Sequence, residues 1–274
     1  TELTSTASFG ATVPTQCALP PSHASTSNIG LEGLQSRLPG GVGAPKTRHA
    51  LQHAGGDAIS EVHGQRWHAA EEAKLELPAT RYGGFIAGME AMDATFFGVS
   101  HAETSEMDPQ QRLLLEVGYL SLHAAGRRRA RLAGSLTATC VAIDHVDWEL
   151  LHVLRTSLTV QQRASAYAAT GEWRGMAPRR LAYTLDLLGP CTAFTTACSS
   201  ALVTVHFGVG SVRSAECDEA LAAGVRATLL PWVASPGGFI SPQGRSLSFD
   251  AFADGWGRAE SVAAFILAQA SGNH

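Results

Sequence analysis

Cys198 lies in the stretch TTACSSALVTVHFG (195–208), flanked by small and hydroxyl-bearing residues and followed by an almost wholly apolar run. The spacing places it where a short β-prone segment meets a helix, just inside the helix N-terminus. The helix dipole and free N–H groups there favour a thiolate, with Thr195 or Thr196 as the cap. A thiol aimed from a buried helix N-terminus suits acyl transfer. The competing assignment is an inert cysteine packed as a small apolar group, and position alone leaves both open. A nucleophile also needs a base. After Cys198 the only histidines are His206 and His274, and no lysine follows. His206 lies on the same helix, about 12 Å along its axis. It therefore cannot meet the thiol and reads as a structural histidine near the core. A cysteine hydrolase would need a nearby histidine oriented by Asn or Asp, and no local signature for one is present.

Other chemistry-bearing residues point elsewhere. Cys17, Cys140, Cys191 and Cys217 lack the Cys198 setting and read as packing residues. The five cysteines are widely spaced without a CxxC or CxxH pair, so no metal site is expected. Reduced thiols fit a cytosol-like compartment, and a cytoplasmic location is expected. Asp250 and Asp254 read as turn and loop hydrogen-bonding residues, and GWG (255–257) as a tight turn. Trp67, Trp148, Trp173 and Trp232 are too scattered for a binding platform. The arginines of 127–131 follow a helix C-terminus and are expected to face water while complementing its dipole.

The elements that must position Cys198 follow from composition and periodicity. The chain has 274 residues, 45% of them hydrophobic and 16% charged, enough for a substantial core. A net charge of −4 offers no basic field for nucleic acid. No apolar run reaches about 18 residues, so no membrane span is expected. Residues 1–28, rich in Ser, Thr, Ala and Pro, are expected to be a disordered leader, and residues 29–274 form one domain. RLPGG (37–41) reads as a turn, 45–54 as a short helix and 57–67 as loop. The stretch 82–100, punctuated by glycine, is expected to line a surface against the core.

Asp108-Pro109 opens a helix over 106–126, with Leu113, Leu114, Val117 and Leu120 or Ser121 on its apolar face and Gly126 as its stop. LTATCVAID (136–144) predicts a strand buried on both faces. Helices are expected over 146–165, 176–189 and 197–214, and strands over 191–195, 219–229 and 261–268. The 197–214 helix is apolar nearly all round and is expected to be central. Alternating strands and helices argue for an α/β fold with a largely buried sheet.

Several blocks in order carry a resemblance: SRLPGG (36–41), GDAISEVHGQRW (56–67), YGGFI, MDATFFGVS, EMDPQQRLLLEV, LAYTLDLLGP, TACSSAL, ECDEALAAGV and SPQGRSLSFDAFADGWGRAE. Over about 30–270 the chain resembles the amino-terminal half of a β-ketoacyl synthase of the type I polyketide synthase kind. The resemblance implies a thiolase-like fold, the amino-terminal αβαβα-type half with a buried mixed sheet, and commonly a homodimer. It implies polyketide or fatty-acid chemistry. Cys198, as the family nucleophile, accepts an acyl group from an acyl carrier protein thioester, and a malonyl-type extender then condenses with loss of CO₂. It implies no bound cofactor or metal, since the phosphopantetheine arm belongs to the carrier. Phe249 matches a residue near the family's acyl pocket, with ordinary core packing as the alternative.

The chain departs from the family pattern at Thr195, where the family has Asp, and at Ser36, where many relatives have Cys. The strand before Ser36 (NIGLEGLQ) is also less apolar than the family's. The HGTGT and KxNxGH motifs of the carboxy-terminal half are absent, so turnover is expected to need that half. The alternative is a non-catalytic truncated ketosynthase acting as a pairing or scaffold module. An isolated half is expected to expose apolar faces of the 197–214 helix.

Overall fold

The structure is a computed structural model that describes residues 28–64, 66, 81–144, 147–156, 165–230, 239–241 and 243–270. The expected leader falls outside these residues except for Asn28. Cys17, Trp67, Trp232, His274 and the second half of the 146–165 stretch also lie outside them.

Five strands form one mixed sheet: β1 (Ile29–Arg37), β2 (Thr137–Ala142), β3 (Cys191–Phe194), β4 (Glu219–Arg226) and β5 (Ser261–Gln269). Their order is β1-β5-β4-β2-β3. β2 pairs in parallel with β3 and β4, while β5 runs antiparallel to both β4 and β1. The longer helices are α1 (Pro45–His53), α2 (Pro109–Ala124), α3 (Asp147–Thr156), α4 (Met176–Leu185) and α5 (Ser200–Arg213).

The α/β expectation is met, and the period-2 alternation of the central strands explains the layering. On β4, Leu221, Ala223 and Val225 join the core beneath α2 and α4, with Val141 of β2 and Val262, Ala264 and Ile266 of β5. Ala220 and Ala222 face the other way, with Ala138 and Cys140 of β2 and Leu267 of β5, toward Val212 of α5. All six residues of β2 are buried, as expected of a β-prone run of small residues covered on both faces.

α2 forms where its cap predicts. The Asp108 carboxylate accepts the Gln110 amide at 2.7 Å, and Pro109 occupies the first helical position. Leu113, Leu114, Val117 and Ser121 are buried, while Leu120 points outward. The weakly apolar NIGLEGLQ segment still forms β1, an edge strand bulged between Glu32 and Gln35. Gly33 sits at φ +61, and a Cβ there would lie 2.2 Å from the Ser121 carbonyl, so glycine is required for β1 to lie on α2. Ile86, Met89 and Phe97 bring the 82–100 stretch onto the core, as expected.

Three expectations are corrected. The helix expected over 176–189 stops at Leu185, where Asp186 takes φ +55 and Leu187 bridges Ser135 in parallel. α5 does not begin at residue 197: Ala197–Ser199 form a 3-10 turn, and the α-helix starts at Ser200. The arginine cluster does not simply face water. Arg127 pairs with Glu32 of β1 at 2.6 Å and with Glu219 of β4 at 2.8 Å, tying two strands to the end of α2.

Buried polar side chains secure the loops around the sheet. Glu260, 1% exposed, accepts the Ile86 amide at 2.8 Å, the Thr228 amide at 3.0 Å and Arg66 at 3.0 Å. Asp147 accepts the Leu229 amide at 3.0 Å, and Gln110 accepts the Ala227 amide at 3.2 Å. These bonds hold the chain leaving β4 against α2 and α3, because a buried amide without an acceptor is costly.

Candidate active site

Cys198 is exposed at the centre of the 3-10 turn between β3 and α5. The preceding residue, Ala197, has φ +54, a left-handed conformation costing roughly 1–2 kcal/mol for a residue with a Cβ. The turn is held by its own hydroxyls. Ser200 Oγ accepts the Thr196 amide at 2.7 Å and donates to the Ala197 carbonyl at 2.8 Å. Ser199 Oγ donates to the Thr196 carbonyl at 2.7 Å. Neither Thr195 nor Thr196 caps the helix as expected. The Thr195 hydroxyl instead donates to the Ile143 carbonyl at 2.8 Å, fastening the turn to the end of β2.

α5 sits on the sheet through small residues. Ser200, Thr204, Gly208 and Ser211 are buried, and a Cβ on Gly208 would come within 2.9 Å of Leu267. Its opposite side is open. Leu202 is 73% exposed, so the helix is covered on one face rather than central, and its apolar exposure matches the expectation for an isolated half. His206 is exposed, not near the core, because it lies on that open face.

Cys198 opens onto a cavity of about 660 Å³. Its walls are mainly small and apolar, including Ala142, Ala201, Ala222, Ala263 and Phe265. Three charged residues also line it: Asp144, Arg226 and Arg258. Sequence reasoning missed all three. The available signal was Arg226 itself, a charge closing the otherwise apolar strand ALAAGVR. No histidine or lysine lines the cavity among the described residues.

The other candidates separate from this site. Phe249 is fully exposed at φ +66 and does not line the cavity, so core packing does not account for it. Asp250 accepts the Phe252 amide at 2.9 Å, a turn role as expected. The 255–257 turn is tight, with Gly255 at φ +142 beside Ser241. Trp148 donates to the Glu106 carbonyl at 2.9 Å, and Trp173 is exposed elsewhere. Cys140 and Cys217 are buried, and burial pushes the Cys140 thiol up to about 12, which suits packing rather than reaction. Among the described residues no group of His, Cys, Asp or Glu could hold a metal ion, and no helix is long and apolar enough to cross a membrane.

Comparison with known proteins agrees with this architecture. The model of the β-ketoacyl synthase amino-terminal domain matches residues 26–273. One component of the phenolphthiocerol/phthiocerol polyketide synthase of Mycobacterium tuberculosis is 36% identical over 266 residues, covering 94% of this chain and 14% of that protein. The phthioceranic/hydroxyphthioceranic acid synthase of Mycobacterium bovis is 35% identical over 247 residues, covering 87% and 11%. Among solved structures, the ketosynthase from module 6 of the bacillaene synthase of Bacillus subtilis 168 superposes with a TM-score of 0.77 at 27% identity, covering 88% of this chain and 40% of that one. The fold is thus the thiolase-like one of condensing enzymes. The chain belongs to the β-ketoacyl synthase family, as a member of its amino-terminal domain, and spans less than half the length of the relatives it matches.

Proposed function

We propose that this chain performs the acyl-transfer half-reaction of a polyketide ketosynthase, with Cys198 as nucleophile. The observation that carries the reading is an exposed thiol on a hydroxyl-locked strand-to-helix turn, opening onto an apolar-walled cavity. The Cys198 sulfur attacks the carbonyl carbon of a thioester. The carbon–sulfur bond to the donor breaks, and the donor thiolate leaves and takes the proton released by Cys198. The Cys198 N–H, which has no backbone acceptor among the described residues, is the oxyanion donor this turn offers. The donor is an acyl group on the phosphopantetheine arm of an acyl carrier protein, in the cytoplasm, with the ketosynthase paired as a homodimer. Phe249, a fully exposed ring outside this cavity, is given no part in holding the acyl chain. Decarboxylative condensation draws on histidine and lysine groups that no described cavity residue supplies, so it is not assigned to these residues alone.

The test is incubation with an acyl thioester followed by intact mass. One acyl adduct is expected on the wild-type chain and none on Cys198→Ala. Equal labelling of the two overturns the proposal. A non-catalytic pairing module is the second reading, favoured by the exposed Leu202 face of α5. A well-folded stable monomer that ignores carrier protein would remove both readings.

A further inference from the structure

The cavity beside Cys198 is not uniformly apolar, and its charges do not cancel locally. Asp144 is engaged by Arg174, whose Nη1 lies 3.4 Å from Oδ1 and 2.6 Å from the Asp144 carbonyl. Glu260 is engaged by Arg66 at 3.0 Å. The remaining carboxylate that acts on both cavity arginines is Asp147, which already accepts the Leu229 amide. Asp144 and Glu260 also act on Arg226, whereas Asp147 is the one carboxylate that acts on Arg258. Among the described residues, the Arg258 guanidinium makes no hydrogen bond or ion pair of its own, although it is half-buried. A desolvated guanidinium without an acceptor is costly, and its planar fork matches a carboxylate with two parallel hydrogen bonds.

We infer that Arg258, with Arg226 beside it, is a carboxylate-recognition site, and that the acyl group delivered to Cys198 carries a free carboxylate at its far end. The inference rests on the acyl-transfer reading above and names the substrate class of that site. The walls fit such a group: a short methylene chain lies along the alanines, and its charged end meets the arginines. Burial first, and then the like charge of Arg226, pull Arg258 down to about 10 against the opposing influence of Asp147. Arg258 remains protonated at neutral pH.

The experiment compares donors that differ only in the terminal charge. N-acetylcysteamine half-thioesters of succinate, glutarate and adipate are set against their methyl esters, and the rate of Cys198 labelling is followed by intact mass. At least one free acid is expected to label the wild-type chain tenfold or more faster than its ester. That ratio is expected to fall toward one in Arg258→Gln and to recover in part in Arg258→Lys. If both donors label at equal rates in the wild-type chain, the carboxylate assignment is overturned while the acyl-transfer reading stands. If no donor labels Cys198, both fall. Acceleration that depends on a phosphopantetheine arm, whatever the acyl terminus, moves the anion to the arm's phosphate and also overturns the assignment.

Discussion

The Ser200 hydroxyl spans the turn that presents Cys198, accepting the Thr196 amide at 2.7 Å and donating to the Ala197 carbonyl at 2.8 Å. It closes the turn against the left-handed Ala197. Ser200→Ala removes both bonds and is expected to cost about 1–2 kcal/mol in chemical denaturation. Labelling of Cys198 by an acyl thioester is expected to slow about tenfold, which corresponds to about 1.4 kcal/mol. An unchanged labelling rate would show that the turn holds its shape without this hydroxyl.

Gly33 should tolerate no side chain. Gly33→Ala places a Cβ against the Ser121 carbonyl at 2.2 Å and the Ala125 amide at 2.8 Å, in a left-handed backbone. The expected loss is about 2 kcal/mol or more, with amide exchange in β1 accelerated ahead of that in β2 and β4. A stability equal to wild type would mean that β1 does not lie on α2 as described.

Asp108 predicts a pH dependence. Burial raises its carboxyl from 3.8 to about 6, against the opposing pull of the Gln110 amide bonds. The folded chain then binds more protons than the unfolded chain between those values, so stability falls as pH rises through that window. Lowering the pH from 7 to 4 should recover on the order of 3 kcal/mol from this group. Burial also raises Glu116 and Glu260, with the same sign. Urea unfolding at pH 4, 5, 6 and 7 should therefore show a flatter profile for Asp108→Asn. Parallel profiles would show that Asp108 is ionised throughout.

Leu202 carries an apolar side chain into solvent on the open face of α5. Leu202→Glu is expected to change the unfolding free energy by no more than a surface substitution does, about 0.5 kcal/mol. It should also lower the fluorescence of a hydrophobic dye and the share of large species in size-exclusion chromatography. A drop of several kcal/mol would show that Leu202 packs against something in solution.

Segments whose structure depends on neighbours in the chain were legible in advance. α2 follows from Asp108-Pro109 and its apolar spacing, and β2 from a β-prone run of small residues, because caps and local propensity act over a few residues. β1 was harder to read: its edge position demands little apolarity, and its fit depends on Gly33 meeting Ser121, far along the chain. The early end of α4 was hidden for a similar reason. Leu187 leaves the helix to bridge Ser135, a partner that helix propensity cannot see. His206 looked core-like because α5 is apolar around most of its surface, whereas its packed stripe is Ser200, Thr204 and Gly208.

By itself the sequence determined the alternating α/β order, the family and the position of Cys198, since each is written in contiguous motifs. Only the tertiary structure decided which face of α5 is covered, that Thr195 holds β2 rather than capping a helix, and that Arg226 and Arg258 meet beside Cys198. The antiparallel pairing of β4 with β5 brings those two arginines to one end of the sheet. Such a meeting follows from strand register and not from local spacing.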